Sequence, residues 1–171
     1  MRKYQFRGEL IGDVNLGRPN LGVQIDVEIY RLMQFTLRDI LEERYGSDAA
    51  DEVFRGAGRL AGNEFYKNLV HPAETLDEFI SKVQSALIEK KIGVLRIEEV
   101  DVNVSRIILT VDEDLDCSGL PELDYEACLY DEGFISALFD CFTKEKWTAK
   151  EIDCWCTGSR TCRFIVTKNW I

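Results

Sequence analysis

TAKEIDCWCTGSRTCRFIVTK, residues Thr148–Lys168, reads as a β-hairpin. Thr148 to Cys156 and Thr161 to Lys168 are strand-like runs, and Thr157, Gly158, Ser159 and Arg160 supply the turn between them. A hairpin needs further strands and a covering layer before it is stable on its own, so the residues upstream must provide both. Two runs rich in β-branched residues, Val94 to Val102 and Val104 to Val111, meet the first need, with Asn103 in a tight connection. After an acidic loop, Asp112 to Asp116, comes CSGLPELDYEAC and then a long helix with Ala127, Tyr130, Phe134, Ile135, Leu138 and Phe142 on its inner side.

Three more helices precede the strands. From Asp26 to about Arg44, Ile29, Leu32, Met33, Leu37, Ile40 and Leu41 recur at three- and four-residue steps, which predicts a helix with one buried face ended by Gly46. Ser47 or Asp48 caps a second, with Ala50, Val53, Phe54, Ala57, Leu60, Ala61, Phe65 and Leu69 inward, and Pro72 beyond its end. Gly56, Gly58 and Gly62 lie inside it. No strand precedes GAGRLAG and its spacing fits no phosphate loop, so close helix packing is the better account, although each glycine costs about 1 kcal/mol relative to alanine. Thr75 with Glu78 forms a capping box for the third helix, whose inner face carries Leu76, Phe79, Ile80, Val83, Ala86 and Leu87 before Gly93 closes it. The first two dozen residues, with Gly12, Gly17, Pro19, Asn20 and Gly22, read as short strands and turns. The whole predicts one α+β domain over residues 1–171: a twisted antiparallel sheet of about four strands packed by helices on one face, behind an N-terminal strand and turn region.

Composition narrows function. With 31 acidic against 21 basic residues the net charge is −10, which opposes direct nucleic-acid binding. No apolar run approaches the roughly 18–20 residues of a membrane span, and MRKYQFRGELIGDVN has no apolar core like that of a secretory signal, so a cytoplasmic location is expected. Six cysteines in a reducing compartment point to metal binding or burial rather than disulfides. The single His71 excludes a multi-histidine metal site; it reads as a helix-terminal residue satisfying carbonyls.

Cys128 opens the last helix, Cys154 follows it by 26 residues and Cys162 lies across the hairpin, with Glu151 three residues before Cys154. A helix packed on a hairpin can bring these side chains together, and thiolates with one carboxylate suit tetrahedral zinc. Cys156, two residues beyond Cys154 on the same strand, shares a face with it and is equally nominated by geometry. Glu151 and Cys154 point to opposite faces of a regular strand and need a bulge to converge.

The stretch from Cys117 to Phe164 resembles the 4-vinyl reductase domain family: SGLP, then DYEACLYDEGFISALFDCF, then KEIDCWCTGSRTCRF. The resemblance is distinctive over residues 117–168. In members that form the ligand-sensing part of phenol- and xylene-responsive activators, zinc is held by a helix cysteine, a glutamate, a cysteine three residues on and a cysteine eight further. The matching positions here are Cys128, Glu151, Cys154 and Cys162, so the resemblance implies these as zinc ligands and leaves out Cys117, Cys141 and Cys156. It also implies a fold shared with small subunits of a vesicle-tethering complex, a homodimer, and a pocket for a small apolar or aromatic ligand. Unlike the sensor proteins, the sequence shows no activator or DNA-binding domain.

A small-molecule binding or sensing module with structural zinc is therefore the leading expectation. An enzyme or accessory protein of tetrapyrrole vinyl-group metabolism is the alternative, but no dinucleotide or flavin motif is present to supply electrons, which points away from an unaided enzyme. Redox sensing or iron binding through Cys117, Cys141 and Cys156 is the third.

Overall fold

The structure, a computed structural model, describes residues 3–169. The chain divides into one unit up to Gly46 and a second from Ser47 onward.

In the first unit the expected short strands are absent among the described residues. A 3-10 turn, Gly8–Ile11, and a single helical turn, α1 (Val14–Gly17), take their place. The Asp13 carboxylate accepts the Leu16 N–H at 3.0 Å, and this local cap favours helix where glycine spacing alone suggested strand. α2 (Val27–Tyr45) follows, ended by Gly46 at a φ of 83°. The face expected to be buried is not: Ile29, Leu32, Met33, Leu37 and Ile40 are all exposed.

The second unit holds α3 (Ser47–Phe65), prolonged by a π turn (Tyr66–Val70), then α4 (Leu76–Glu89), β1 (Val94–Asp101), β2 (Arg106–Asp112), α5 (Leu129–Thr143), β3 (Trp147–Asp153) and β4 (Cys162–Lys168). Thr75 caps α4 as its sequence predicts, its hydroxyl accepting the Glu78 N–H; the Glu78 carboxylate reaches back to the Glu74 N–H. The connection between β1 and β2 is longer than a tight turn at Asn103, because Val102 and Val104 are solvent-exposed and have no burial to hold them in strands.

All neighbouring strands are antiparallel in the order β1-β2-β4-β3, so the crossover through α5 inserts β4 between β2 and β3. Pairing of Leu109 with Phe164, and of Phe164 with Glu151, defines a row across the sheet; Leu95, Ile107, Val111, Val166, Ala149 and Trp147 share its face. These side chains join Phe79, Val83 and Leu87 of α4 and Phe134, Ile135, Leu138 and Phe139 of α5 in one core. The other face carries Arg96, Lys150 and Arg163.

α5 is buried on nearly every side. One side meets α3 through glycine: a Cβ on Gly58 would lie 2.0 Å from the Tyr130 carbonyl oxygen, and one on Gly133 would lie 2.0 Å from that of Arg55. Gly62 makes a similar approach to Phe134. Close packing is thus the reason for these two glycines of α3, while Gly56 faces open space. Expected inward residues Val53, Leu60 and Leu69 are instead exposed, since backbone rather than side chains forms the interface.

Candidate metal centre

The other side of α5 docks on the outer edge of β3. Ser136 Oγ accepts the Ala149 N–H at 2.8 Å and Glu132 Oε1 accepts the Glu151 N–H at 3.0 Å. These bonds satisfy the edge strand and fix the helix along it. Glu132 also pairs with Arg55 Nε at 2.6 Å and Lys150 Nζ at 2.8 Å, so a buried carboxylate ties α3, α5 and β3 together.

This docking brings the first residue of α5 to the end of β3. Cys128, the N-cap, faces Cys154 and Cys162 with Sγ–Sγ distances of 3.8 and 3.6 Å. The bulge needed near Glu151 is present as a register shift between Glu151 and Asp153. Cys154 and Cys156, however, do not share a strand face: β3 ends at Asp153, and Trp155–Thr157 form a 3-10 turn. The Thr157 hydroxyl accepts the Cys154 N–H at 3.3 Å, which breaks the strand before the second cysteine. Cys156 is buried without joining the thiol cluster, and Cys141 lies far along α5, its thiol donating to Asn63 Oδ1 at 3.0 Å.

Cys117 is the fourth member of the cluster. Its sulfur lies 3.0 Å from that of Cys162 and 4.0 Å from that of Cys154, and all four sulfurs lie within 4.8 Å of one another. All four cysteines are at most 1% exposed. A loop after β2 delivers Cys117: Asp114 Oδ1 accepts the N–H groups of Asp116 and Cys117 at 2.7 and 3.2 Å, and Ile92 O accepts the Leu115 N–H. A signal existed in the register, because Val111 pairs with Cys162 and the loop leaves the sheet beside it.

Glu151 is 2% exposed, and its Oε2 accepts the Cys128 N–H at 3.2 Å. Its Oε1 is buried with no hydrogen-bond partner. Burial, then the charge of Cys154, pushes its carboxyl up to about 9. Hydrogen bonds from Cys117, Cys128 and Cys162 pull the Cys154 thiol well below the usual thiol range, so one thiolate is favoured even without a cation. Asp114 is pushed up to about 7 by burial and then by Asp116. Four convergent buried sulfurs are what a thiophilic ion requires, and they exceed what a packed core needs.

A second constellation lies among α3, α4, α5 and β3. Phe65 meets Phe134 edge-on at 5.1 Å, Phe79 meets Phe139 edge-on at 5.2 Å, and Phe79 stacks on Phe142 at 4.4 Å. Phe139 reaches Trp147 at 5.5 Å, and Tyr66 closes the layer against Phe79.

Residues 107–168 match the family model of the 4-vinyl reductase domain, and the match spans β2 to β4 with all cluster cysteines but none of the earlier helices. These residues form a 4-vinyl reductase domain. An uncharacterised protein of Methanocaldococcus jannaschii is 28% identical over 85% of this chain and 80% of its own length. The phenol-responsive sensory domain of the transcription activator PoxR, solved with phenol, shares the fold of this 4-vinyl reductase domain protein at a TM-score of 0.67, with 13% identity over 86% of this chain and 76% of that one. A trafficking protein particle complex subunit 3 from Naegleria fowleri, covalently bound to palmitic acid, gives a TM-score of 0.67 with 8% identity over 84% and 95% of the two chains. The 4-vinyl reductase domain protein has no helix among its described residues that is long and apolar enough to cross a membrane.

Proposed function

We propose that this protein is a module that binds a small apolar or aromatic molecule, stiffened by a structural zinc ion. The observation that carries the reading is the separation of two constellations: a thiol cluster at the N-terminal end of α5, and an aromatic layer along its C-terminal half that receives rings from α3, the π turn, α4 and β3. Edge-on and stacked rings offer an aromatic guest the same contacts they make with one another. The fold it shares with a phenol-responsive domain supports this choice of ligand.

Cys128, Cys154 and Cys162 hold the zinc with a fourth side chain, which the family pattern assigns to Glu151. The ion joins α5 to both strands of the hairpin, so part of its binding energy is folding energy. Four protein ligands leave no position open for substrate, and its role is structural. The sulfur spacing suits one ion better than an iron–sulfur cluster, whose ligating sulfurs stand further apart.

The partner is a second copy of the chain, with the exposed apolar face of α2 as contact element. A net charge of −10 keeps the module off nucleic acid, and the free cysteines suit the reducing cytoplasm. Trp147 emission tests ligand binding: phenol, 3-methylphenol and naphthalene should give saturable changes that Trp147→Phe abolishes, together with a raised melting temperature. No saturable change with any of them refutes the reading. Sedimentation at micromolar concentration tests the dimer, and a lone monomer refutes it.

A further inference from the structure

We propose that Cys117, and not Glu151, is the fourth metal ligand, which makes the centre an all-thiolate site. This rests on the metal reading above and departs from the ligand pattern of the resembling sensors.

Geometry carries it. Zinc bonded tetrahedrally to sulfur at about 2.3 Å places its ligand sulfurs about 3.8 Å apart. The distances Cys128–Cys154, Cys128–Cys162 and Cys117–Cys154 are 3.8, 3.6 and 4.0 Å, each close to that edge length. Only Cys117–Cys162, at 3.0 Å, must open when an ion enters. Cys117 therefore shares edges of one tetrahedron with the other three cysteines. It arrives on a loop whose conformation Asp114 fixes through two backbone N–H groups.

Glu151 has another task. Cys128 caps α5 with no side-chain bond of its own, and Oε2 of Glu151 accepts its N–H at the positive end of the helix. The carboxylate thereby positions the backbone of one ligand, a supporting role that metal sites commonly give to acidic groups. Its unpartnered Oε1 is the one feature that fits the opposite assignment, so the test must separate the two. A site of four thiolates selects soft, thiophilic ions such as zinc and cadmium over oxygen-preferring magnesium or calcium. It would join four separate pieces of chain: the loop after β2, the start of α5, the end of β3 and the start of β4.

X-ray absorption at the zinc edge of reduced, zinc-loaded full-length protein decides the matter. Four sulfurs at about 2.3 Å with no oxygen shell is the expected wild-type result. Glu151→Gln should leave that shell unchanged, whereas Cys117→Ser should show three sulfurs and one lighter ligand. Cobalt substitution gives a parallel readout, as Cys117→Ser should lose about a quarter of the sulfur-to-cobalt charge-transfer intensity when one of four thiolates goes. Wild-type protein with three sulfurs and one oxygen, altered by Glu151→Gln and indifferent to Cys117→Ser, overturns this proposal while leaving the metal reading standing. Failure of reduced wild-type protein to retain zinc or cadmium overturns both. The wild-type spectrum alone discriminates, so the test survives a variant that does not fold.

Discussion

Alanine at Gly58 sets helix propensity against packing. In an isolated helix the change stabilises by about 1 kcal/mol, because alanine loses less backbone freedom than glycine. Here the added Cβ lies 2.0 Å from Tyr130 O and 2.9 Å from Phe134 N, while ordinary contact begins at 3.4 Å. The oxygen belongs to the backbone of α5 and cannot rotate aside, so α3 and α5 must part by about 1.4 Å. Overpacking of this kind costs about 1–3 kcal/mol, and a backbone obstacle belongs at the upper end. Net of propensity, a loss of about 2 kcal/mol is expected, and at about 2–4 °C per kcal/mol for a chain of this size the melting temperature falls by about 4–8 °C. Gly56→Ala is the internal control: nothing lies within 4 Å of its Cβ, so it should gain up to about 1 kcal/mol and melt about 2–4 °C higher. Urea and thermal unfolding followed by circular dichroism, at fixed zinc concentration, measure both. Equal shifts for the two variants would show that the α3–α5 contact is looser than glycine-to-backbone packing, and the argument would fail.

Serine at Cys154 or Cys162 should lower zinc content and melting temperature together, whereas Cys141→Ser, remote from the cluster, should change neither; metal analysis beside calorimetry reads both. Glu132→Leu leaves the Glu151 N–H and Arg55 without their buried acceptor and should cost about 3–5 kcal/mol by urea unfolding, while a change below about 1 kcal/mol would mean the carboxylate is dispensable. In metal-free protein Asp114 keeps its proton to about 7 when folded but releases it near 4 when unfolded, so the folded state binds more protons in that interval. Its contribution to stability is therefore present at low pH and lost as pH rises through 7. Asp114→Asn, which retains the acceptor for Cys117, should reduce the fall in stability between pH 5 and pH 8, and an unchanged pH profile would contradict the buried, protonated carboxyl.

The layer order was legible because it follows from local periodicity. Three-and-four spacing set α2, α3 and α4 within a few residues, Thr75 marked its own cap, and β-branched runs marked β1 and β2. Polar and glycine-rich segments misled where short-range bonds outweigh periodicity. Asp13 turned an expected strand into α1, and the Thr157 hydroxyl ended β3 before Cys154 rather than after Cys156. The outer face of α2 lay beyond reach for another reason: periodicity says that a helix has an apolar side, not what covers it.

The thiol cluster shows the same limit more sharply. Spacing on the hairpin and at the start of α5 pointed to Cys128, Cys154 and Cys162, whose sulfurs the fold brings together. It also pointed to Glu151, because a ligand pattern carried from a related sequence ranks positions by interval. Cys117 has no fixed interval to the hairpin; a whole helix separates them along the chain. Only sheet order places it, since β4 lies between β2 and β3 and Val111 pairs with Cys162, so a loop leaving β2 must pass the start of β4. A cysteine on that loop, locked by Asp114, then competes with a carboxylate already engaged by the N–H of Cys128. Thiolate binds zinc more strongly than a carboxylate that would have to give up its bond at the helix end, and the competition falls to sulfur.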